Sequence, residues 1–154
     1  MDGIGLENSL EENAIKLCVE ASSQKHNQMF GIGVIAYDLN NKAIHSWALK
    51  ESSSGDFLQD QAKAVKLATN KASMKQWRRI RVEVPSKGIL QLLRLKSAKD
   101  IRLFALMEDI HSLSLLFLKC SFCLLSQENR YRNNMVCSYT LNIVQDKKWD
   151  NSQY

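Results

Sequence analysis

The chain has 154 residues, one proline, 45% hydrophobic and 24% charged residues, which excludes collagen-like, proline-rich linker and disordered proteins. The length suits one compact domain rather than two. The net charge of +5 is uneven: residues 63–102 carry twelve basic and two acidic side chains (Glu83 and Asp100), and the rest of the chain is net acidic.

Residues 1–13 show no strong period and read as a flexible leader; their acidic character fits neither a secretory signal nor a mitochondrial transit peptide. Residues 15–21 (IKLCVEA) alternate in the manner of a strand, and residues 30–39 (FGIGVIAYDL) are continuous and β-branched. Asp38-Leu-Asn-Asn-Lys is turn chemistry, followed by a third strand over residues 43–49 (AIHSWAL). Short turns between these strands predict an antiparallel meander, and Ser52-Ser-Ser-Gly-Asp offers a helix N-cap.

Over residues 56–76 the period becomes helical, with Leu58, Ala62, Val65, Ala68 and Ala72 on one face. Lys63, Lys66, Lys71 and Lys75 fall largely opposite, where they either solvate the helix or form a basic surface. Residues 79–84 (RIRVEV) predict a strand, and Pro85-Ser86 opens a short helix through Leu93. Residues 100–113 are amphipathic, with Ile101, Phe104, Ala105, Ile110 and Leu113 as candidate core residues; a strand at 119–125 and a weaker helical pattern at 127–139 follow. The order β-β-β-α-β-α-α-β-α predicts an α/β fold with a mixed five-stranded sheet, three antiparallel strands then two parallel, flanked by helices. The domain is read as residues 14–140 and a C-terminal tail as 141–154.

No apolar run approaches the roughly 18–20 residues of a membrane span, so no membrane contact is expected. Four scattered cysteines, Cys18, Cys120, Cys123 and Cys137, do not make a disulfide framework, and an intracellular setting, cytoplasmic or nuclear, is expected. Cys120-Ser-Phe-Cys123 has the C-x-x-C spacing of zinc and redox sites, but on a strand residues three apart face opposite ways. His26, His45 and His111 are dispersed, and Trp47 and Trp77 read as packing residues rather than base-stacking ones.

Four strings in order carry a resemblance. FGIGVIAYDLNNKAI looks like a second strand, turn and third strand of the form G-x-G-x-V-x-R-D. DQAKAVKLATNKA matches an A-E-A-x-A helix in its alanine spacing, and IRVEVPSKGILQLL resembles a strand ending E-S-D-S with its following helix. LMEDIHSLSLLFLKCSFCLLSQEN resembles a helix-to-strand passage ending H-x-x-R-E-x-N. Together, over about residues 15–137, they resemble the ribonuclease H-like domain of plant proteins derived from retroelement reverse transcriptases.

The resemblance implies a ribonuclease H-like fold. It also implies, for members that cut RNA in RNA–DNA hybrids, four acidic side chains holding two divalent ions. Two Mg²⁺ about 4 Å apart need hard anionic oxygens to offset their repulsion; amides supply no charge, and proline supplies no side-chain ligand. In this chain the four positions fall on Glu20 (VEAS), Gln61 (DQA), Pro85 (EVPS) and Asn134 (NNMVC). One carboxylate survives. Asp60 neighbours Gln61, but one step along a helix turns the side chain by about 100°. The expected protein is therefore a pseudoenzyme without metal or other cofactor, acting on another protein as a regulatory or inhibitory module. The alternatives are a metal-independent nucleic-acid binder using Arg78, Arg79, Arg94, Lys96 and Lys99, and, more remotely, residual ribonuclease H activity.

Overall fold

A computed structural model describes residues 14–24, 28–95 and 100–127. The leader, the tail, the helical pattern read beyond residue 127, Asn134, Lys96 and Lys99 lie outside the described residues. Three strands come first: β1 (Ile15–Gln24), β2 (Met29–Tyr37) and β3 (Ala43–Ser52). Helix α1 (Phe57–Met74) leads to β4 (Arg79–Val84), then α2 (Lys87–Leu95), α3 (Ile101–Ser114) and β5 (Lys119–Leu124).

Local chemistry sets the boundaries. The Asp38 carboxylate accepts from Asn40 N and Lys42 N at 2.9 and 3.0 Å, and Asn41 adopts φ 61, which closes the β2–β3 turn. Asp56 caps α1 by accepting from Leu58 N at 3.0 Å, immediately after Gly55, whose φ of 88 few other residues adopt. Asp100 does the same for α3, accepting from Arg102 N and Leu103 N.

The five strands lie in the order β3-β2-β1-β4-β5. β1–β2 and β2–β3 pair antiparallel, whereas β1–β4 and β4–β5 pair parallel, the mixed sheet the sequence predicts. β3 is an edge strand.

The two-residue alternation of the strands sorts the interior into two sides. Leu17, Val19, Phe30, Ile32, Val34, Trp47, Ile80, Val82 and Val84 join Ala62, Val65, Ala68 and Ala72 of α1 in the main core. Ile89 and Leu93 of α2 and Leu103, Met107 and Ile110 of α3 complete it. Cys18, Ile35, Tyr37 and Leu125 form a separate buried cluster.

The structure corrects the face of α3. Ile101, Phe104 and Ala105 are exposed, while Leu103, Met107 and Ile110 are buried. The helix carries apolar residues nearly all round, so periodicity allows two inward faces, and packing on α1 selects the one through Leu103, Met107 and Ile110.

Candidate functional site

Three of the four positions that the resemblance singles out, Glu20, Gln61 and Pro85, lie in described residues, and the fold brings them to one end of the sheet. In the parallel ladder Cys18 pairs with Glu83. Continuing that register by two residues sets Glu20, in the middle of β1, beside Pro85, just past β4, with both on the same face. Gln61, in the second turn of α1, reaches this end through a hydrogen bond: the Ser86 hydroxyl donates to Gln61 Oε1 at 2.8 Å. The same hydroxyl accepts from Ile89 N at 3.3 Å, so Ser86 both caps α2 and anchors Gln61. Glu20, Gln61 and Pro85 are all buried.

The donor set at this end is poor in charge. Glu20 contributes the one carboxylate of the three positions, and one of its oxygens accepts from Ala21 N at 3.2 Å. Gln61 presents a neutral amide already engaged by Ser86, and Pro85 presents carbon. Among the described residues, no group of three or more His, Cys, Asp and Glu side chains is placed to hold a metal ion.

Asp60 faces elsewhere. Its Oδ2 accepts from Ser53 Oγ at 2.6 Å, and its Oδ1 accepts from Ser54 N and Ser54 Oγ, each at 2.9 Å. Those three bonds account for a buried carboxylate by tying the β3–α1 loop to the helix.

A third buried carboxylate, Glu83, was not legible as a site residue. It lies two residues before Pro85, and in register Cys18, Glu83 and Cys123 form one row across β1, β4 and β5. The Cys18 thiol donates to Glu83 Oε1 at 3.5 Å, and the Arg81 guanidinium lies 3.8 Å from Oε2. Burial first, and the Glu83 charge second, hold the Cys18 thiol well above its ordinary range. Glu83 is thus partnered inside the fold. Its sequence signals are the alternation of RIRVEV, which puts residues 81, 83 and 85 on one side, and its place at the first position of EVPS.

The C-x-x-C pair separates as strand geometry requires: Cys120 packs against the main core, whereas Cys123 Sγ accepts from Arg81 Nε at 3.2 Å. Burial raises Cys120 to about 12.

Of the basic residues singled out in the sequence, Arg78 and Arg79 lie away from the site. Arg78 and Arg79 stand at the amino end of β4, the opposite end from Pro85, a separation of about 20 Å along the strand. Arg94 is exposed in the last turn of α2. Beside Arg78, Trp77 packs against His45 and Trp47, with ring centroids 5.7 and 6.1 Å away, and Trp47 is almost wholly buried. These rings are packing residues.

Residues 19–138 match the family described as reverse transcriptase-like. The chain belongs to the reverse transcriptase-like family. No curated protein matches it. The sheet order and helices of this reverse transcriptase-like chain are those of ribonuclease H structures. It is similar to RNase H1 from the halophilic archaeon Halobacterium salinarum NRC-1, with 12% identity and a TM-score of 0.76 over 84% of this chain and 98% of the other. LC11-RNase H1, isolated from compost and solved in complex with an RNA/DNA hybrid, matches at 14% identity and TM-score 0.72, covering 83% and 96%. A foamy viral protease-reverse transcriptase in complex with dsDNA matches at 11% identity and TM-score 0.65, covering 85% and 94%. At such identities the likeness is one of fold: a ribonuclease H-like α/β domain. No helix among the described residues is long and apolar enough to cross a membrane.

Proposed function

We propose that this reverse transcriptase-like protein is a ribonuclease H-like domain that does not cleave nucleic acid and acts by binding another protein. The observation that carries the reading is the Glu20, Gln61, Pro85 set. Two divalent ions bring four positive charges, and a single carboxylate cannot offset them at this end of the sheet. The Ser86–Gln61 bond supports the same reading, because it spends the amide oxygen on helix packing.

Incubation of the protein with an RNA–DNA hybrid and Mg²⁺ or Mn²⁺ tests the catalytic half, with no cleavage expected. Robust cleavage abolished by Glu20→Ala would sink it. Affinity purification with and without nuclease treatment tests the binding half, with nuclease-resistant protein partners expected.

A second reading, metal-independent nucleic-acid binding, is supported by the basic excess in residues 63–102 and by the RNA/DNA hybrid bound to LC11-RNase H1. It requires salt-dependent binding to hybrid, duplex or single-stranded probes that weakens on charge reversal at Arg78, Arg79, Arg94, Lys96 and Lys99. Salt-insensitive results, or none, leave the protein-binding reading.

A further inference from the structure

The end of the molecule away from Glu20 and Pro85 has a different surface. Between α3 and β5 the chain makes a tight turn in which Leu115, Leu116 and Leu118 are 83%, 67% and 61% exposed. This turn is held in place. Leu116 N donates to Leu113 O at 3.0 Å and Leu118 N to Arg78 O at 2.7 Å, while the Phe117 side chain is buried in the main core. The leucines are therefore presented by a fixed backbone, which lowers the ordering cost of a contact.

Leu116 stands between two grooves. One, of about 730 Å³, is lined by Ser73, Gln76, Trp77, Arg78 and Leu118 with Leu116 itself. The other, of about 520 Å³, runs between α1 and α3 past Leu67, Asn70, Ser112 and Leu113, beside the Lys66–Asp109 ion pair at 2.8 Å. Met74, 69% exposed, lies at the same end of α1.

The described chain that borders the first groove is basic. Arg78 lines it, and Lys71 and Lys75 stand in and just after the last turn of α1, with no acid in residues 71–79 or 115–119. Arg78 is exposed and has no ion-pair partner among the described residues. Contiguous exposed leucines bordered by cations are the surface expected to receive an apolar segment flanked by acids. Nucleic acid fits less well, because leucines offer no stacking plane and Trp77 is taken up by His45 and Trp47.

We propose that the paired grooves meeting at Leu116 form a docking site for an acidic amphipathic segment of a partner protein. This rests on the protein-binding reading above and names its surface. The apolar side chains of the segment sit against Leu116, Leu118 and Leu113, and its carboxylates face Arg78 and Lys75.

The probe is a fluorescein-labelled synthetic peptide with Leu at helical i, i+3, i+4, i+7 spacing and Glu elsewhere, followed by anisotropy. Saturable binding is expected, at least tenfold weaker for Leu116→Ser and for Arg78→Glu and unchanged for the control Phe57→Ser, exposed at the opposite end of α1. Counterpart peptides with Lys for Glu, or Ala for Leu, should not bind. Thermal melts of the variants report that the fold is intact. Absence of saturable binding, or equal affinity for Leu116→Ser, overturns the proposal. So does a labelled single-stranded oligonucleotide that binds in preference to the peptide and is lost with Arg78→Glu. Cleavage of an RNA–DNA hybrid by the same preparation would instead bring down the inactive-domain reading, whatever the peptide does.

Discussion

Asp60 and Gln61 are neighbours at the start of α1 and hold opposite sides of the structure together. The Asp60 carboxylate takes three hydrogen bonds from Ser53 and Ser54, and Gln61 takes one from Ser86. Hydrogen bonds to a charged group contribute more than neutral ones, and a buried donor left alone loses its compensation. Asp60→Ala should therefore destabilise the protein by about 2–3 kcal/mol in urea unfolding, and Gln61→Ala by only about 1 kcal/mol. The reverse order would mean that Asp60 serves something other than the loop. His45 offers a pH test. Burial first, and the Lys75 charge second, hold its imidazole below the ordinary histidine range of ~6.5. The unfolded chain then takes up this proton more readily than the folded one. The stability associated with His45 is whole above ~6.5 and falls as pH drops towards its folded value. Melting temperatures measured across that window should show a shallower acid-side decline for His45→Gln than for the parent protein. Identical slopes would show that His45 is not the group responsible.

The elements differ in how much of them is written in their own residues. α1 is legible because alanines and valine recur on one face while lysines take most of the other, and Asp56 marks its start. The meander is legible because Asp38 and Asn41 build a turn between two β-branched runs. α3 is only half legible: an amphipathic helix at 100–113 follows from its period, but Ile101, Leu103, Phe104, Leu106 and Met107 offer two apolar faces. The choice between them is made by α1, not by α3. Met107→Ala should accordingly cost about 2–5 kcal/mol as a core truncation, whereas Phe104→Ala should fall near the ~0.5 kcal/mol of a surface change. Comparable losses in denaturant titration would put Phe104 in a contact that its exposure does not show. The Ser86 contact to Gln61 was not legible at all, since a side-chain bond between residues 25 positions apart leaves no periodic trace.

At the scale of the whole molecule, the basic middle of the sequence is partly answered within the fold. Lys63 lies 3.4 Å from Glu51, Lys66 meets Asp109, and Arg81 meets both Glu83 and Cys123. Arg78, exposed and without an ion-pair partner among the described residues, lies where α1 ends and β4 begins, an α1 length of about 27 Å from the helix start that carries Gln61. Strand adjacency explains why linear charge counting could not show this: β4 lies beside β1, and no local pattern in residues 79–84 specifies that neighbour. The site end makes its own prediction. A ligand that binds only the folded state raises its melting temperature. Mg²⁺ or Mn²⁺ should leave the melting temperature of the natural sequence unchanged. The double variant Gln61→Glu, Pro85→Asp, with three carboxylates at that end, should gain Mn²⁺-dependent stabilisation. Metal-dependent stabilisation of the unsubstituted protein would contradict the proposed loss of the metal site.

The row Cys18–Glu83–Cys123 has a practical corollary. Two strand spacings separate the outer thiols by about 10 Å, beyond the ~7 Å limit for bridging without backbone movement. Oxidants therefore have no intramolecular crosslink to close there. Cys18, with no exposed surface and a thiol held protonated, is shut off from alkylating reagents as long as the sheet is assembled. Pulse alkylation resolved by peptide mass should therefore modify Cys18 only as often as the domain opens as a whole. The chain carries its own unfolding clock, readable without an added label, and Cys18 modification in the folded protein at the rate of an exposed thiol would show that the sheet opens locally instead.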